Sequence, residues 1–448
     1  MERVNIGQHQ KEDHTVYLPE KLYHQTLNYI KFSNKIVECH IKPHRSETML
    51  IAEDLWKKCS IPYSTCILLE INNETINIFP LIGIFTAGKL KNSPRPFGER
   101  TNDFKHLLSH VHKKGGYAFI FGPDDLDWQN GMINGLFYNE GWETCKVPFP
   151  HVVYDRIPSR RKERDTIIKQ IKETFIHQYG IPWFNSKFFN KWMIYQMLKN
   201  HPLSSQYLPN TKENFTRQDI IQFLNHYKAI YFKPKNGSKG QGIKKLQKDN
   251  KEIICEYYQQ GQYQIKKYDA LDDLISFHFP GNLLSHYILQ QGINLIKENG
   301  RPIDFRIHTN KDGDGKWQMS AAAAKVAGKD SITTHVSYGG QVKSLHDLFS
   351  KKAEEYLIKL KNAAITLTEI IDQQSNELIG ELGLDIGIDE DGRIWLFEAN
   401  SRPGRTIFKS PAIRKQDYFV KNLWYDYCCH LTKQTIKHPD WMLSTQSV

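Results

Sequence analysis

Gly383-Leu-Asp-Ile-Gly-Ile-Asp-Glu-Asp-Gly-Arg-Ile-Trp-Leu-Phe-Glu-Ala-Asn400 is the stretch on which the fold turns. Two β-patterned runs flank Glu390-Asp-Gly-Arg393, a turn sequence built around a glycine, so the spacing predicts a β-hairpin. Side chains alternate along a strand, which predicts one shared face for Ile394, Leu396, Glu398 and Asn400. Pairing the strands across the turn sets Asp385 opposite Glu398, so that three oxygen-bearing side chains converge on one patch. Two carboxylates at cross-strand distance repel each other, and a hard divalent cation with oxygen ligands relieves that repulsion. The residues alone leave a second reading open, in which one acid faces solvent and the other caps a turn. Asp389, Glu390 and Asp391 read as the solvated tip.

Upstream, Ile230-Tyr-Phe-Lys-Pro-Lys-Asn-Gly-Ser-Lys-Gly-Gln-Gly-Ile243 reads as a strand ending in Lys233-Pro234, followed by a glycine-rich loop. Gly237, Gly240 and Gly242 carry no Cβ, so backbone amides there can approach an anion closely. The loop fits neither the Walker A pattern nor the Rossmann fingerprint. Taken alone, it reads equally well as a glycine-rich hairpin turn.

Around these segments the pattern predicts an α/β (α+β) chain. Residues 1–79 mix short β-like runs (Cys66-Ile-Leu-Leu-Glu-Ile71, Ile76-Asn-Ile-Phe79) with Asn-rich turns, predicting a small β-rich accessory domain. Residues 80–186 alternate strands and helices: a buried-type strand at 81–86, a helix at 104–112, and further strands at 117–121 and 151–155. An open α/β sheet follows from that alternation. Pro123-Asp-Asp-Leu-Asp127 reads as a solvent-exposed turn or a loop for substrate groups. Residues 187–282 open with a helix over 187–199, ended by Pro202, and run through helix, strand, glycine loop and strand. Residues 283–448 hold the acidic hairpin and the last long helix, about 351–374, where Leu357, Leu360, Ala364, Leu367 and Ile371 form a core stripe.

A chain of 448 residues is too long for one ordinary core, and about two to four packed domains are expected. Hydrophobic residues at 40% and charged residues at 24% argue against extensive disorder. No apolar run reaches the roughly 18 residues that cross a bilayer, and the first residues lack a signal-peptide layout. A cytoplasmic protein without a membrane span is expected. The seven cysteines include no CxxC pair, and adjacent Cys428 and Cys429 suit neither a zinc site nor an ordinary disulfide, so all read as reduced packing residues. The net charge of +11 is spread along the chain, and its densest run, Ser159-Arg-Arg-Lys-Glu-Arg164, is broken by an acid. No nucleic-acid motif accompanies it, so nucleic acid is not an expected partner. A generally basic surface, or an anionic ligand such as a nucleotide or acidic peptide, accounts for the charge.

Asp385, then Glu398-Ala-Asn400, then Pro403-Gly404 resembles the metal-binding end of ATP-grasp enzymes, matching their D…ExN…PG layout in order and spacing. Lys-Pro followed by Asn236-Gly-Ser238-x-Gly240-x-Gly242 resembles the flexible loop that covers the triphosphate in that family. The resemblance implies an ATP-grasp fold over residues 187–410, magnesium (or manganese) held by Asp385, Glu398 and Asn400, and ATP held by Lys191, Lys233 and the loop. It places an adenine hinge at Tyr287-Ile-Leu-Gln-Gln-Gly-Ile293, with Gln290 and Gln291 as candidates. Arg301-Pro-Ile-Asp-Phe-Arg306 resembles the family's D-x-R strand, in which Arg306 contacts phosphate and Asp304 orients it; a structural ion pair is the alternative. Lys325 stands where related ligases often carry arginine and is a second candidate catalytic group, and His335 stands where several have asparagine. Over most of the chain, Pro80-Leu-Ile-Gly-Ile84, Val152-Val-Tyr-Asp-Arg-Ile-Pro-Ser159, Gly300-Arg-Pro-Ile-Asp-Phe-Arg306 and Asn400-Ser-Arg-Pro-Gly-Arg405 resemble the YheC/YheD family of endospore-forming bacteria, ATP-grasp proteins associated with the spore coat.

The function this implies is an ATP- and Mg-dependent ligase that forms an acyl phosphate from a carboxylate and joins it to an amine. Arg402 and Arg405, directly after the metal ligands, are candidates for an acidic substrate, a carboxylate-bearing small molecule or peptide; they are equally surface arginines. The resemblance also implies association with the endospore coat and its proteins. A phosphotransferase on the same site, or a coat component without catalysis, are the alternatives.

Overall fold

Leu81–Phe85 carries no charged side chain and is buried along its whole length, as a strand covered on both faces must be. In the computed structural model it lies inside a seven-stranded sheet, parallel to Tyr117–Phe121 on one side and to Val152–Asp155 on the other. Helix Thr101–Lys114 supplies the crossover that a parallel pair requires. The structure describes residues 2–90, 93–237, 240–250, 252–329, 331–334, 338–439 and 441–444.

Ahead of this sheet, the strands from Glu2–His9 to Thr75–Phe79 form an eight-stranded mixed sheet. Its last hairpin, Cys66–Asn72 with Thr75–Phe79, turns through Asn73 at φ +51°, a left-handed conformation that asparagine tolerates. The two sheets, the segment Asp312–Lys316 and the chain from Lys421 make one compact unit, while Phe188–Lys311 and Trp317–Val420 make a second. The expected boundary at residue 79 thus separates two sheets within one unit.

The second unit holds two six-stranded sheets. In the first, Tyr287–Gln291 lies between Thr211–Glu213 and Ile230–Pro234, and Lys244–Asp249 continues from the latter. The strand that bears Gln290 and Gln291, expected at the start of the C-terminal lobe, is therefore built into the sheet that bears Lys233. In the second, Arg301–Lys311 is flanked by Trp317–Val326 and Glu381–Ile388, and Ile394–Asn400 closes the row. Helix Ala353–Gln373 packs its predicted stripe, with Leu360, Ala364, Leu367 and Ile371 buried, into one core with Leu384, Ile386 and Ile388.

Two helix expectations need correction. The helix expected from residue 187 begins at Lys191, because the Asn190 side chain accepts from Met193 N and caps it there. Helix Ala353–Gln373 is not the last long one, since Arg414–Lys437 follows it. Val420, Leu423, Trp424, Tyr425, Tyr427, Cys428 and Leu431 are all buried there. Its first turns are exposed, with Tyr418 and Phe419 on the surface, and aromatic and polar residues interleave along it, so the sequence shows no clean apolar stripe. All seven cysteines are free thiols.

In the first unit, strand Val152–Asp155 ends in a buried charge. Asp155 Oδ2 pairs with Lys172 Nζ at 2.6 Å and accepts from Trp183 Nε1 at 3.0 Å, while Oδ1 accepts from Ile157 N at 2.9 Å. Lys172 Nζ also donates to Ser186 O at 2.6 Å. Removing one partner of a buried pair takes away part of what compensates the other charge, at a cost of about 3 kcal/mol. Lys172→Met is accordingly expected to lower stability by about that amount in urea denaturation. Replacing the exposed Lys169 by Met leaves it within about 0.5 kcal/mol of the parent.

Candidate active site

Glu381–Ile388 and Ile394–Asn400 pair antiparallel, with Asp385 opposite Glu398 as expected and Gly383 opposite Asn400, although the turn pairs Ile388 with Ile394, one residue off the register of a four-residue loop. The expected shared face does not form. The register shifts after Asp385: Ile386 pairs with Leu396 while Asp385 pairs with Glu398, leaving Phe397 as an extra residue, a β-bulge. Ile394, Leu396 and Ala399 go into the core beneath helix Ala353–Gln373. Glu398 and Asn400 are thereby turned to the opposite face, with Asp385. One inserted residue separates the packing half of the strand from the polar half.

The carboxylates on that face are neutralised by basic side chains. Asp385 Oδ1 pairs with Lys325 Nζ at 2.8 Å and Oδ2 with Arg306 Nη2 at 3.0 Å. Lys325 Nζ also reaches Asp304 Oδ1 at 3.0 Å, and the Thr334 hydroxyl donates to the other Asp304 oxygen. Burial disfavours a charged Lys325, yet Asp304 and Asp385 outweigh it and hold the ammonium above the usual lysine range. Burial pushes the Asp304 carboxyl up against the pull of Lys325. Glu398 Oε1 lies 3.4 Å from Lys191 Nζ. The repulsion between these carboxylates is thus relieved by Lys191, Arg306 and Lys325. Arg306 Nη1 is buried without a hydrogen-bond partner among the described residues, leaving a guanidinium donor for an anion.

Lys191 opens its helix and donates to Gly237 O at 2.9 Å, tying the helix to the start of the glycine-rich loop. Asn236 is exposed in the turn, Gly240 and Gly242 have φ of +72° and +74°, and Ser238 lies outside the described residues, as does His335. Lys233 Nζ donates to Gln290 Oε1 at 2.6 Å, within 5.4 Å of the Tyr231 ring centroid and 5.1 Å of that of Phe397. Burial first, and then the charge of Lys191, push this ammonium down to about 8. Gln290 Nε2 donates to Thr211 Oγ1 at 3.0 Å. The backbone donors of Gln291 and Gly292 are taken by Asn210 O and Ala229 O, both at 2.8 Å, so Gln290 offers its side chain here. Lys191, Gln290, Ile194, Tyr195, Ile288 and Phe397 help line a slot between the sheets.

Among the described residues no group of three or more His, Cys, Asp or Glu is arranged to hold a metal ion. Asp385, Glu398 and Asn400 offer two carboxylates and an amide from one face. That oxygen set fits magnesium sharing its remaining positions with phosphate and water, not a closed all-protein cage. Arg402 is buried with its guanidinium 4.3 Å from the Phe188 ring centroid. Arg405 is held by Asp417 at 2.7 Å, which takes up much of its charge. Thr211 and Thr334, which fix Gln290 and Asp304, were not singled out from the sequence; a lone threonine carries no spacing signal.

A family model described as YheC/D like ATP-grasp matches residues 180–431, and the fold is of the ATP-grasp class. The endospore coat-associated protein YheD of Bacillus subtilis (strain 168) is 38% identical over 445 residues, covering 98% of each chain. The endospore coat-associated protein YheC of the same organism is 26% identical over 334 residues, covering 70% of this chain and 89% of that one. Among solved structures, the VanG D-Ala:D-Ser ligase of Enterococcus faecalis superposes with a TM-score of 0.47 at 11% identity, covering 79% of this chain and 99% of that one. The chain belongs to the YheC/D-like family of ATP-grasp proteins.

The charge network sets a stability test. Lys325→Met leaves Asp304 buried without its counter-charge and is expected to destabilise the protein by about 3 kcal/mol at pH 7. Asp304 in the variant has a folded-state pKa further above its unfolded value, so its contribution is favourable at low pH and is lost as pH rises. The deficit should therefore shrink from pH 7 toward pH 4 in urea titrations. A deficit that does not change with pH would contradict the network.

Proposed function

We propose that the second unit uses ATP to activate a carboxylate and join it to an amine. The observation that carries this reading is the grouping of Lys191, Lys233, Arg306 and Lys325 around a face that also bears Asp385 and Glu398. Fixed cations with this little exposure suit a polyanion whose charge redistributes during transfer. Gln290, oriented by Thr211 and Lys233 beside the slot, is the candidate for reading the base. Asp385, Glu398 and Asn400 would hold magnesium, or manganese, which supplies charge neutralisation on the phosphates.

In this reading Lys191 and Lys233 hold phosphate oxygens and the glycine-rich loop excludes water. The donor carboxylate attacks the terminal phosphorus of ATP, the bond to ADP breaks, and an acyl phosphate results. Arg306, with its spare Nη1, stabilises charge on the transferred group, and Lys325 stands beside it. The amine nitrogen then forms the bond to the acyl carbon as phosphate leaves, and the amine proton passes to solvent. Arg402 and Arg405 are the candidates to receive an acidic substrate, Arg405 already carrying Asp417 at 2.7 Å. The names of the relatives suggest the endospore coat as the setting and coat proteins as partners.

The decisive experiment incubates the protein with Mg-ATP and pooled amino acids, peptides and coat extracts, following phosphate release and new amides by mass spectrometry. A phosphorylated stable acceptor without an amide marks a phosphotransferase. Nucleotide binding with no turnover marks a coat component. Glu398→Gln is expected to abolish acceptor-dependent turnover, at least about a hundredfold, with an unchanged circular-dichroism spectrum. Lys233 adds a pH signature. Its ammonium, depressed to about 8, must be charged to hold phosphate. ATP affinity should be full below that pH and fall as pH rises through it, with proton uptake on binding, both readable by calorimetry in buffers of differing ionisation enthalpy. Lys233→Arg should remove the dependence.

A further inference from the structure

Tyr258 stands on strand Glu252–Gln259, in the sheet that carries the glycine-rich loop, and Tyr338 follows the strand Trp317–Val326 that carries Lys325. Their rings stack with centroids 3.9 Å apart and planes 20° from parallel. The Tyr258 hydroxyl donates to Ser331 Oγ at 2.8 Å, and Ser331 donates in turn to Thr333 O at 2.6 Å. Tyr338 is pinned from behind: a Cβ on Gly328 would lie 2.3 Å from Tyr338 O, an approach only glycine allows. The loop abuts this assembly from the other side. A Cβ on Gly240, which has φ +72°, would lie 3.3 Å from the Tyr338 ring and 3.1 Å from Thr333 Oγ1. That hydroxyl is buried with no hydrogen-bond partner among the described residues.

We propose that the Tyr258–Tyr338 stack is a clasp that positions the glycine-rich loop against the Lys325 strand and sets how long bound phosphates stay covered. This rests on the nucleotide reading above. The physical reason is the thinness of the loop. Three glycines leave it few side chains to pack, so its position depends on its neighbours, and those that close in on Gly240 are Thr333 and Tyr338. The two rings join elements far apart in sequence, Tyr258 on a strand of one sheet and Tyr338 in the connection between Trp317–Val326 and Gln341–Lys343 of the other. Opening the loop therefore means separating Gly240 from Tyr338 or unstacking the rings. Neither tyrosine is proposed to touch substrate; both are positioning residues.

The test uses the full chain and three readouts: hydrogen exchange of peptides covering residues 236–242 without nucleotide, dissociation of a fluorescent ADP, and affinity for adenosine. Tyr258→Ala and Tyr338→Ala should each speed loop exchange and ADP release about three- to tenfold, a stacked pair being worth about 0.5–1.5 kcal/mol. The double variant should be no faster than either single, because both remove the same contact. Tyr258→Phe keeps the rings together and should stay within about twofold of the parent. Adenosine, which has no phosphates to cover, should bind all of them alike. Additive effects, an equal loss of adenosine and ADP, or unchanged loop exchange in the alanine variants would overturn the clasp. If the parent binds no ADP, the nucleotide reading fails, while the exchange data on the nucleotide-free protein still decide whether the rings hold the loop.

Discussion

Strand Ile394–Asn400 has to meet two demands that a regular strand cannot meet together. Ile394 and Leu396 must fill the core beneath helix Ala353–Gln373, and Glu398 and Asn400 must reach the polar face opposite. With a period of two, residues 394, 396, 398 and 400 would all point the same way, burying a carboxylate and an amide among leucines and isoleucines. Phe397 resolves the conflict by bulging, so that the alternation restarts one residue later. Its ring also lies near Lys233. The same residue that re-aims Glu398 forms part of the wall beside the lysine, so the packing of the hairpin and the shape of the slot are set together.

Once the hairpin is turned this way, its carboxylates need partners, and each comes from a different element. Lys191 is fixed at a helix start by the Asn190 cap, Arg306 lies across the sheet from Asp385, and Lys325 reaches in from the next strand. In a medium of low effective dielectric, such charges are strongly coupled, and losing any one leaves another uncompensated. The network therefore constrains four segments at once. It also means that an anion entering the site exchanges partners with groups already held in place, so little side-chain ordering remains to oppose binding.

What could be read from the sequence follows the range of the interactions involved. The hairpin was legible from its turn residues; Asp385 does face Glu398 as expected, but through the bulge and not through the turn's own register, which pairs Ile388 with Ile394. Helix Ala353–Gln373 was legible because one face is apolar, and strand Leu81–Phe85 because it is apolar throughout. The bulge at Phe397 left no mark, since nothing in Trp-Leu-Phe-Glu distinguishes a regular strand from a bulged one. Helix Arg414–Lys437 escaped because only its middle is buried and polar residues interleave with its aromatic ones, which blurs the stripe. The roles of Lys191, Lys233 and Arg306 came from resemblance to a family; as isolated basic residues they carry no signal. Lys172 with Asp155, and Tyr258 with Tyr338, depend on contacts made only when distant segments fold together.

Lys233 shows how these levels meet. Its strand was predicted from an apolar run, and its burial follows from the neighbouring Tyr231 and Phe397 rings. Burial lowers its affinity for a proton, and Lys191 lowers it further. Gln290 keeps the ammonium solvated through its amide oxygen, the kind of partner that holds a buried charge without neutralising it. A carboxylate at that position would have raised the lysine and tied it down as Asp385 ties Lys325. An amide leaves the ammonium without a direct ion pair, and the more distant Glu398, Asp304 and Asp385 offset only part of the effect of burial, so the charge stays available to an anion.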